Sequence, residues 1–285
     1  MHTRSLDANG LTFTVDVAGE GDTVALLLHG FPESRASWRR QVEALPALGW
    51  RVAAADLRGY GDSSRPEGLE AYGIGHLVDD VSALFEALGA RRRILIGHDW
   101  GGVIAWQAAL RRMPLDGLVI INAPHPTLFR RALKTWEQRR RSSYIAFFLM
   151  PLLPELQLTA RDGRGLVWAL KRQSRNFPPD LLETYRRNVL APGAATAMLN
   201  YYRANARGLP APGPRREPIQ APTLLIWGEE DVALGPELAN GNEAFVANLT
   251  VRRLPGVSHW VQQDAPELTN QIISDWARAQ GLASA

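Results

Sequence analysis

Apolar positions recur along the first third of the chain in two alternating rhythms. Residues 24–28 (VALLL), 52–55 (VAAA), 94–96 (ILI) and 118–121 (LVII) are unbroken apolar runs. Such runs are expected of strands buried on both faces, as in a parallel sheet. Between the second and third runs, Leu77, Val81, Leu84, Phe85 and Leu88 recur at helical spacing, and Gly89 supplies a stop. A further helix is expected over 102–112, ending near Pro114. Leu11–Val17 differs: it alternates apolar and polar residues, after Gly10 and before Gly19 and Gly21. It reads as a hairpin arm leading into strand 24–28. Strand and helix in alternation predict an α/β fold, a mostly parallel sheet with helices on both faces.

The rhythm stops after Asn122-Ala123-Pro124-His125-Pro126. Helical patterns without clear strands follow, punctuated by Pro151, Pro154, Pro178, Pro179 and Pro192 and closed by a Pro- and Gly-rich loop over 208–218. Strands resume at Thr223–Trp227 and Val251–Leu254, and a last helix is expected over 266–280. The expected organisation is one α/β core, residues 1–126 and 219–285, interrupted by a helical cap over 127–218.

Charge draws the same boundary. Residues 130–216 carry 17 basic and 5 acidic side chains, a net of +12, while the remainder carries 15 and 24, a net of −9. A break of that size marks a separate unit. Two consequences are open: a solvated Arg-rich outer face with an inner face paired to the acidic core, or cap arginines at an entrance that favour anionic substrates. Nucleic acid is not expected, because no recognition motif accompanies the arginines.

Composition removes other chemistries. There is no cysteine, so disulfides, thiolate metal sites and a cysteine nucleophile are excluded. Scattered histidines and the lack of an H-E-x-x-H pair predict no metal. Gly59-Tyr60-Gly61-Asp62 lacks the third glycine and following helix of a dinucleotide loop, and no Walker A sequence occurs, so no cofactor is expected. The longest apolar stretch, 145–153, is interrupted by Pro151 and falls short of the roughly 20 residues a bilayer requires. Residues 1–10 hold no apolar signal core. A cytoplasmic protein without membrane insertion is the expectation.

The strongest chemical signal is Gly97-His98-Asp99-Trp100-Gly101-Gly102, between strand 94–96 and the next helix. Its spacing is that of a nucleophile elbow, with Asp99 in the nucleophile position. The glycines suit a sharp turn whose neighbours leave no room for side chains. A tight turn with a surface aspartate is the bland alternative, and the strand-to-helix context argues against it.

On these residues the chain resembles the α/β-hydrolase family, and within it the epoxide hydrolase branch, over nearly its whole length. His29-Gly30-Phe31-Pro32 matches the family's HGxP motif. The resemblance implies that the Phe31 and Trp100 backbone N–H groups form an oxyanion hole and that Phe31-Pro32 is cis; His29 reads as structural. The family order of nucleophile, acid and histidine places the acid at Asp231, in Trp227-Gly228-Glu229-Glu230-Asp231, and the base at His259. Glu229 and Glu230 are neighbouring competitors for the acid. Tyr144 and Tyr202 match positions where cap-bearing epoxide hydrolases carry their oxygen-binding tyrosines, and Tyr201 is an alternative to Tyr202.

The implied activity is conversion of a small-molecule epoxide and water to a vicinal diol, through an ester on Asp99 that water activated by His259-Asp231 hydrolyses. No cofactor is implied, and the protein is expected as a monomer or homo-oligomer. Two alternatives remain. A haloalkane or haloacid dehalogenase shares the fold and the aspartate, but often places Asn or Arg where Phe31 and Trp100 stand. A non-catalytic ligand-binding relative is the other, and the complete triad counts against it.

Overall fold

The computed structural model describes residues 1–174, 176–208 and 217–283. Its centre is an eight-stranded sheet in the order β1-β2-β4-β3-β5-β6-β7-β8. The strands are β1 (His2–Ala8), β2 (Leu11–Ala18), β3 (Thr23–Leu28), β4 (Arg51–Ala55), β5 (Arg92–His98), β6 (Gly117–Ile121), β7 (Thr223–Gly228) and β8 (Leu249–Leu254). Neighbours from β4 through β8 pair in parallel, while β2 runs antiparallel to both of its neighbours, β1 and β4.

The apolar runs divide between two cores, as the two-residue period of a strand requires. Leu26, Leu95, Leu118, Ile120 and Leu225 face one core. Leu27, Ile94, Ile96, Val119, Ile121, Leu224 and Ile226 face the other. Helices α2 (Ile74–Ala87) and α3 (Trp100–Leu110) cover the first face, and α1 (Arg39–Ala44) and α12 (Pro266–Ala279) the second. Helix α3 is buried almost all round, which explains its nearly uniform apolar sequence. It begins two residues earlier than expected, because the elbow turn is completed at Asp99.

One expectation is corrected. Leu11–Val17 is not the arm of a hairpin into β3. It pairs antiparallel with β1 and with β4, and the hairpin lies upstream at Asn9-Gly10. Strand β1 is hidden in the sequence because it is an edge strand of which only Leu6 and Ala8 are buried.

Helices α4 (Pro126–Ala132), α5 (Trp136–Arg141), α6 (Ser143–Phe148), α7 (Leu153–Thr159), α8 (Arg164–Gln173), α9 (Pro179–Leu190) and α10 (Ala194–Ala204) intervene between β6 and β7. The short α11 (Val261–Asp264) follows β8. Of the loop expected over 208–218, residues 209–216 lie outside the described residues. Ion pairing within the insertion also differs from expectation. Arg186 pairs with Asp162 and Glu183, Arg203 with Glu155, and Arg141 with Glu137, all inside it. Among the described residues the pairs that cross to the core join the core's Arg39 and Arg112 to the insertion's Asp180 and Glu217, so the core supplies the base in each. The insertion's basic excess is therefore turned to solvent rather than to the acidic core. No described helix is long and apolar enough to cross a membrane.

Candidate active site

The C-terminal ends of four strands converge under this insertion. Phe31 follows β3, Asp99 follows β5, Asp231 follows β7 and His259 follows β8, the edge where open α/β sheets bind ligands. Asp99 sits at φ 50° and ψ −118°, a backbone conformation that few non-glycine residues adopt. Close packing enforces the turn. A Cβ on Gly97 would lie 2.3 Å from the Gly101 carbonyl oxygen, and one on Gly101 would lie 2.1 Å from that of Leu28. The turn leaves the Asp99 carboxylate at the start of α3, where the helix dipole favours negative charge.

The Phe31 N–H donates to Asp99 Oδ1 at 2.8 Å. Phe31-Pro32 is a cis peptide. Trp100 is the first residue of α3, so its N–H has no partner within the helix. His259 Nε2 lies 3.7 Å from Asp99 Oδ2, and its Nδ1 is 2.5 Å from Asp231 Oδ2. Asp231 is buried and accepts three further hydrogen bonds, from the Ala233 and Leu234 N–H groups at 2.8 and 2.9 Å and from Asn122 Nδ2 at 2.8 Å. Glu229 instead pairs with Arg253, and Glu230 is exposed. His29 is buried and accepts the Leu57 N–H at Nε2, well suited to holding the loop after β4.

The electrostatics bind histidine and acid together. Burial pushes the Asp231 carboxyl upward, but the charge and hydrogen bond of His259, with Asn122 and Leu234, hold it below the usual range. Burial lowers the proton affinity of His259; the charge and hydrogen bond of Asp231, then Asp99 and Glu33, outweigh it and raise its pKa to about 9.

Two side chains from the insertion complete the walls. Tyr144 on α6 and Tyr202 on α10 stand with ring centroids 6.3 Å apart. Together with Asp99 they line both a cavity of about 320 Å³, shared with His259, Arg141 and Trp260, and one of about 240 Å³, shared with Trp100, Val103 and Leu149. The Tyr202 oxygen accepts from the Trp100 indole N–H, which leaves its own proton available to a substrate. Burial and then Asp99 push both phenols well up, so they stay protonated. Tyr201 turns away, donating to the Arg58 carbonyl at 2.8 Å.

The alpha/beta hydrolase fold family matches residues 24–266. The chain belongs to this family. The AB hydrolase superfamily protein YfhM of Bacillus subtilis is 38% identical over 280 residues, 96% of this chain and 97% of its own. Epoxide hydrolase 4 of Mus musculus is 38% identical over 282 residues, 94% of this chain and 76% of its own. A solved structure of a Bacillus megaterium epoxide hydrolase variant, bound to its product (R)-3-[1]naphthyloxy-propane-1,2-diol, matches with a TM-score of 0.87 at 30% identity, over 96% of this chain and 100% of that one. Within the α/β hydrolases the chain thus falls in the epoxide hydrolase branch.

The site also holds members that the sequence did not announce. Asn122, at φ 40°, clamps the β7 loop: it accepts the Gly228 N–H at 2.7 Å while donating to Asp231. Arg141 donates to the Asp231 carbonyl at 2.9 Å. Beneath His259, Glu33, His98 and Gln262 form a fully buried polar cluster, with His98 Nε2 2.9 Å from the His259 carbonyl. Nothing in residue type or spacing singles these out, because each acts through a partner distant in sequence.

Proposed function

We propose that the protein hydrolyses an epoxide to a vicinal diol through an ester on Asp99, with helices α4–α10 as a cap over the site. The observation that carries this reading is the convergence of Tyr144 and Tyr202 over the Asp99 carboxylate. A carboxylate is a competent nucleophile toward an sp3 carbon without activation, but the departing alkoxide needs a proton. Two neutral phenols supply that proton and hold the ring oxygen beforehand. The epoxide lies between them and Asp99, with one substituent directed into each cavity.

Ring opening forms the bond from Asp99 oxygen to substrate carbon, breaks the ring C–O bond and moves a tyrosine proton to the new hydroxyl. Solvent returns that proton. Esterification also neutralises Asp99, which removes one of the charges that raise the pKa of His259. The imidazole then releases its proton more readily and becomes the base that the second step needs, while Asp231 keeps it oriented. His259 takes a proton from water, and the hydroxide attacks the Asp99 carbonyl carbon. The tetrahedral oxyanion is held by the Phe31 and Trp100 N–H groups. Collapse expels the diol oxygen, which recovers its proton from His259, and the regenerated Asp99 carboxyl ionises.

A turnover screen of the purified protein against matched epoxides and alkyl halides tests the reading. Diol formation without halide release is the expected result. Halide release with no diol would replace the proposal with a dehalogenase, and turnover of neither would leave a ligand-binding relative.

A further inference from the structure

The cap carries an apolar ridge that lies, but for one residue, outside both cavities beside Asp99. Between α6 and α7 the chain runs Leu149-Met150-Pro151-Leu152-Leu153, and Leu156 follows on α7. Leu152 is 72% exposed and Leu156 64%, although leucine is among the residues most often buried. The ridge is a built feature. Leu153 N–H donates to the Pro151 carbonyl at 2.7 Å, closing a γ-turn that holds Leu152 at φ 65°, a costly conformation for leucine. From below, Arg203 donates to the Phe148 and Met150 carbonyls at 3.1 and 2.5 Å and pairs with Glu155.

The surroundings are basic and aromatic. Helix α5 packs on α6, and α8 packs on α7. Each of these flanking helices exposes a tryptophan, Trp136 at 77% and Trp168 at 62%. The Arg172 guanidinium lies 4.9 Å from the Trp168 ring centre. Arg140, Arg161, Arg164 and Lys171 are exposed, with no carboxylate among the described residues in ion-pair range. The nearby acids are engaged elsewhere: Glu137 with Arg141, Asp162 and Glu183 with Arg186. At one end of the ridge Leu149 is both exposed and part of the wall of the smaller cavity, with Tyr144 and Tyr202.

We propose that this ridge docks the cap onto an anionic lipid surface, so that a lipophilic substrate enters the cavity from the bilayer rather than from water. Exposed leucines gain by entering the acyl boundary. Tryptophans favour the level of the headgroups. Unpaired arginine and lysine are drawn to anionic headgroups. A second copy of the chain fits less well, because ridge-to-ridge packing would oppose two segments of net charge +12. Docking stands independently of the chemistry; the delivery of substrate rests on the epoxide hydrolase reading.

The test is cosedimentation of the full chain with phosphatidylcholine vesicles, with and without phosphatidylserine, across a salt series. Binding should need phosphatidylserine and weaken with salt. Leu152→Asp and Leu156→Asp should each reduce it about tenfold or more, and Arg164→Gln with Lys171→Gln should erase the preference for anionic lipid. Neither pair lines the two cavities beside Asp99, so hydrolysis of a water-soluble epoxide should persist in all four substitutions while turnover of a vesicle-dissolved epoxide falls. Absence of wild-type binding, or equal binding by the aspartate variants, would overturn the proposal. A dimer that the same aspartates dissolve would overturn it too, assigning the ridge to self-association. Vesicle binding without any epoxide turnover would keep the docking and refute the enzymatic reading instead.

Discussion

Replacing Tyr144 and Tyr202 by phenylalanine isolates the ring-opening step. Each change removes one oxygen from a wall shared by both cavities. Tyr144→Phe should barely move the melting temperature, whereas Tyr202→Phe also removes the oxygen that accepts from the Trp100 indole and should cost about 1 kcal/mol. The larger cost of both falls on the reaction. A hydrogen bond to a charged group contributes about 1.5–3 kcal/mol, so a single replacement should slow opening by about 10–100-fold. The remaining phenol can still donate, which limits the loss. With both gone the alkoxide has no acid, and general acid catalysis is worth about 10²–10⁴-fold, roughly 3–5 kcal/mol. Burial and the Asp99 charge keep both phenols protonated, so no alkaline loss of activity should arise from them near neutral pH. Single-turnover stopped-flow fluorescence suits the assay, since Trp100 and Trp260 line the cavities. Opening at the wild-type rate in the double variant, with Asp99 still required, would refute the role given to the tyrosines.

Asn122→Ala should destabilise the fold by about 1–3 kcal/mol, since it leaves the buried Gly228 N–H without its acceptor; denaturant titration reads this, and rapid quench should show ester hydrolysis slowed more than ester formation. Equal slowing of the two steps would remove its assignment to the Asp231 loop. Gly101→Ala should prevent stable folding, because its Cβ would lie 2.1 Å from the Leu28 carbonyl oxygen; a soluble variant with a wild-type circular dichroism melt would contradict the elbow packing. The pH dependence follows from His259, whose pKa is raised from 6.5 to about 9. Its contribution, a few kcal/mol, is complete below pH 6.5 and is lost as pH rises through about 9. Urea midpoints of wild type and His259→Gln should therefore converge across that window, and parallel profiles would contradict the coupling. At the acid end Asp231, held below its ordinary range, contributes stability that is lost as pH falls below about 3.8 and through its folded value.

The strands that carry the site were legible because burial on both faces writes an unbroken apolar run, as in Leu26-Leu27-Leu28 and Ile94-Leu95-Ile96. The elbow was legible because Gly97 and Gly101 answer a steric demand that no other residue meets. Strand β1 was not, since an edge strand with an exposed face keeps few apolar residues. With β1 unmarked, the alternating run of β2 points to the next strand as its hairpin partner instead of to β1. Asn122, Glu33 and Gln262 were silent for another reason: their value lies in partners about 100 to 230 positions away, and a sequence records no such distance. The charge break at residue 130 was legible, but not the direction in which the arginines turn. That direction depends on which carboxylates the insertion itself supplies, such as Asp162, Glu155 and Glu183.

The central claim is that Asp99 itself attacks the substrate, and intact mass spectrometry of His259→Gln tests it most directly. Without the base, ring opening remains possible while hydrolysis of the ester stops. After a brief exposure to an epoxide that the wild type turns over, the variant should gain the mass of one substrate molecule, and digestion should place it on the peptide containing Asp99. The Asp99→Asn variant should show no such addition. An unmodified His259→Gln protein, alongside wild-type turnover that still requires Asp99, would mean that water attacks the epoxide directly with Asp99 as its base, and would contradict the account.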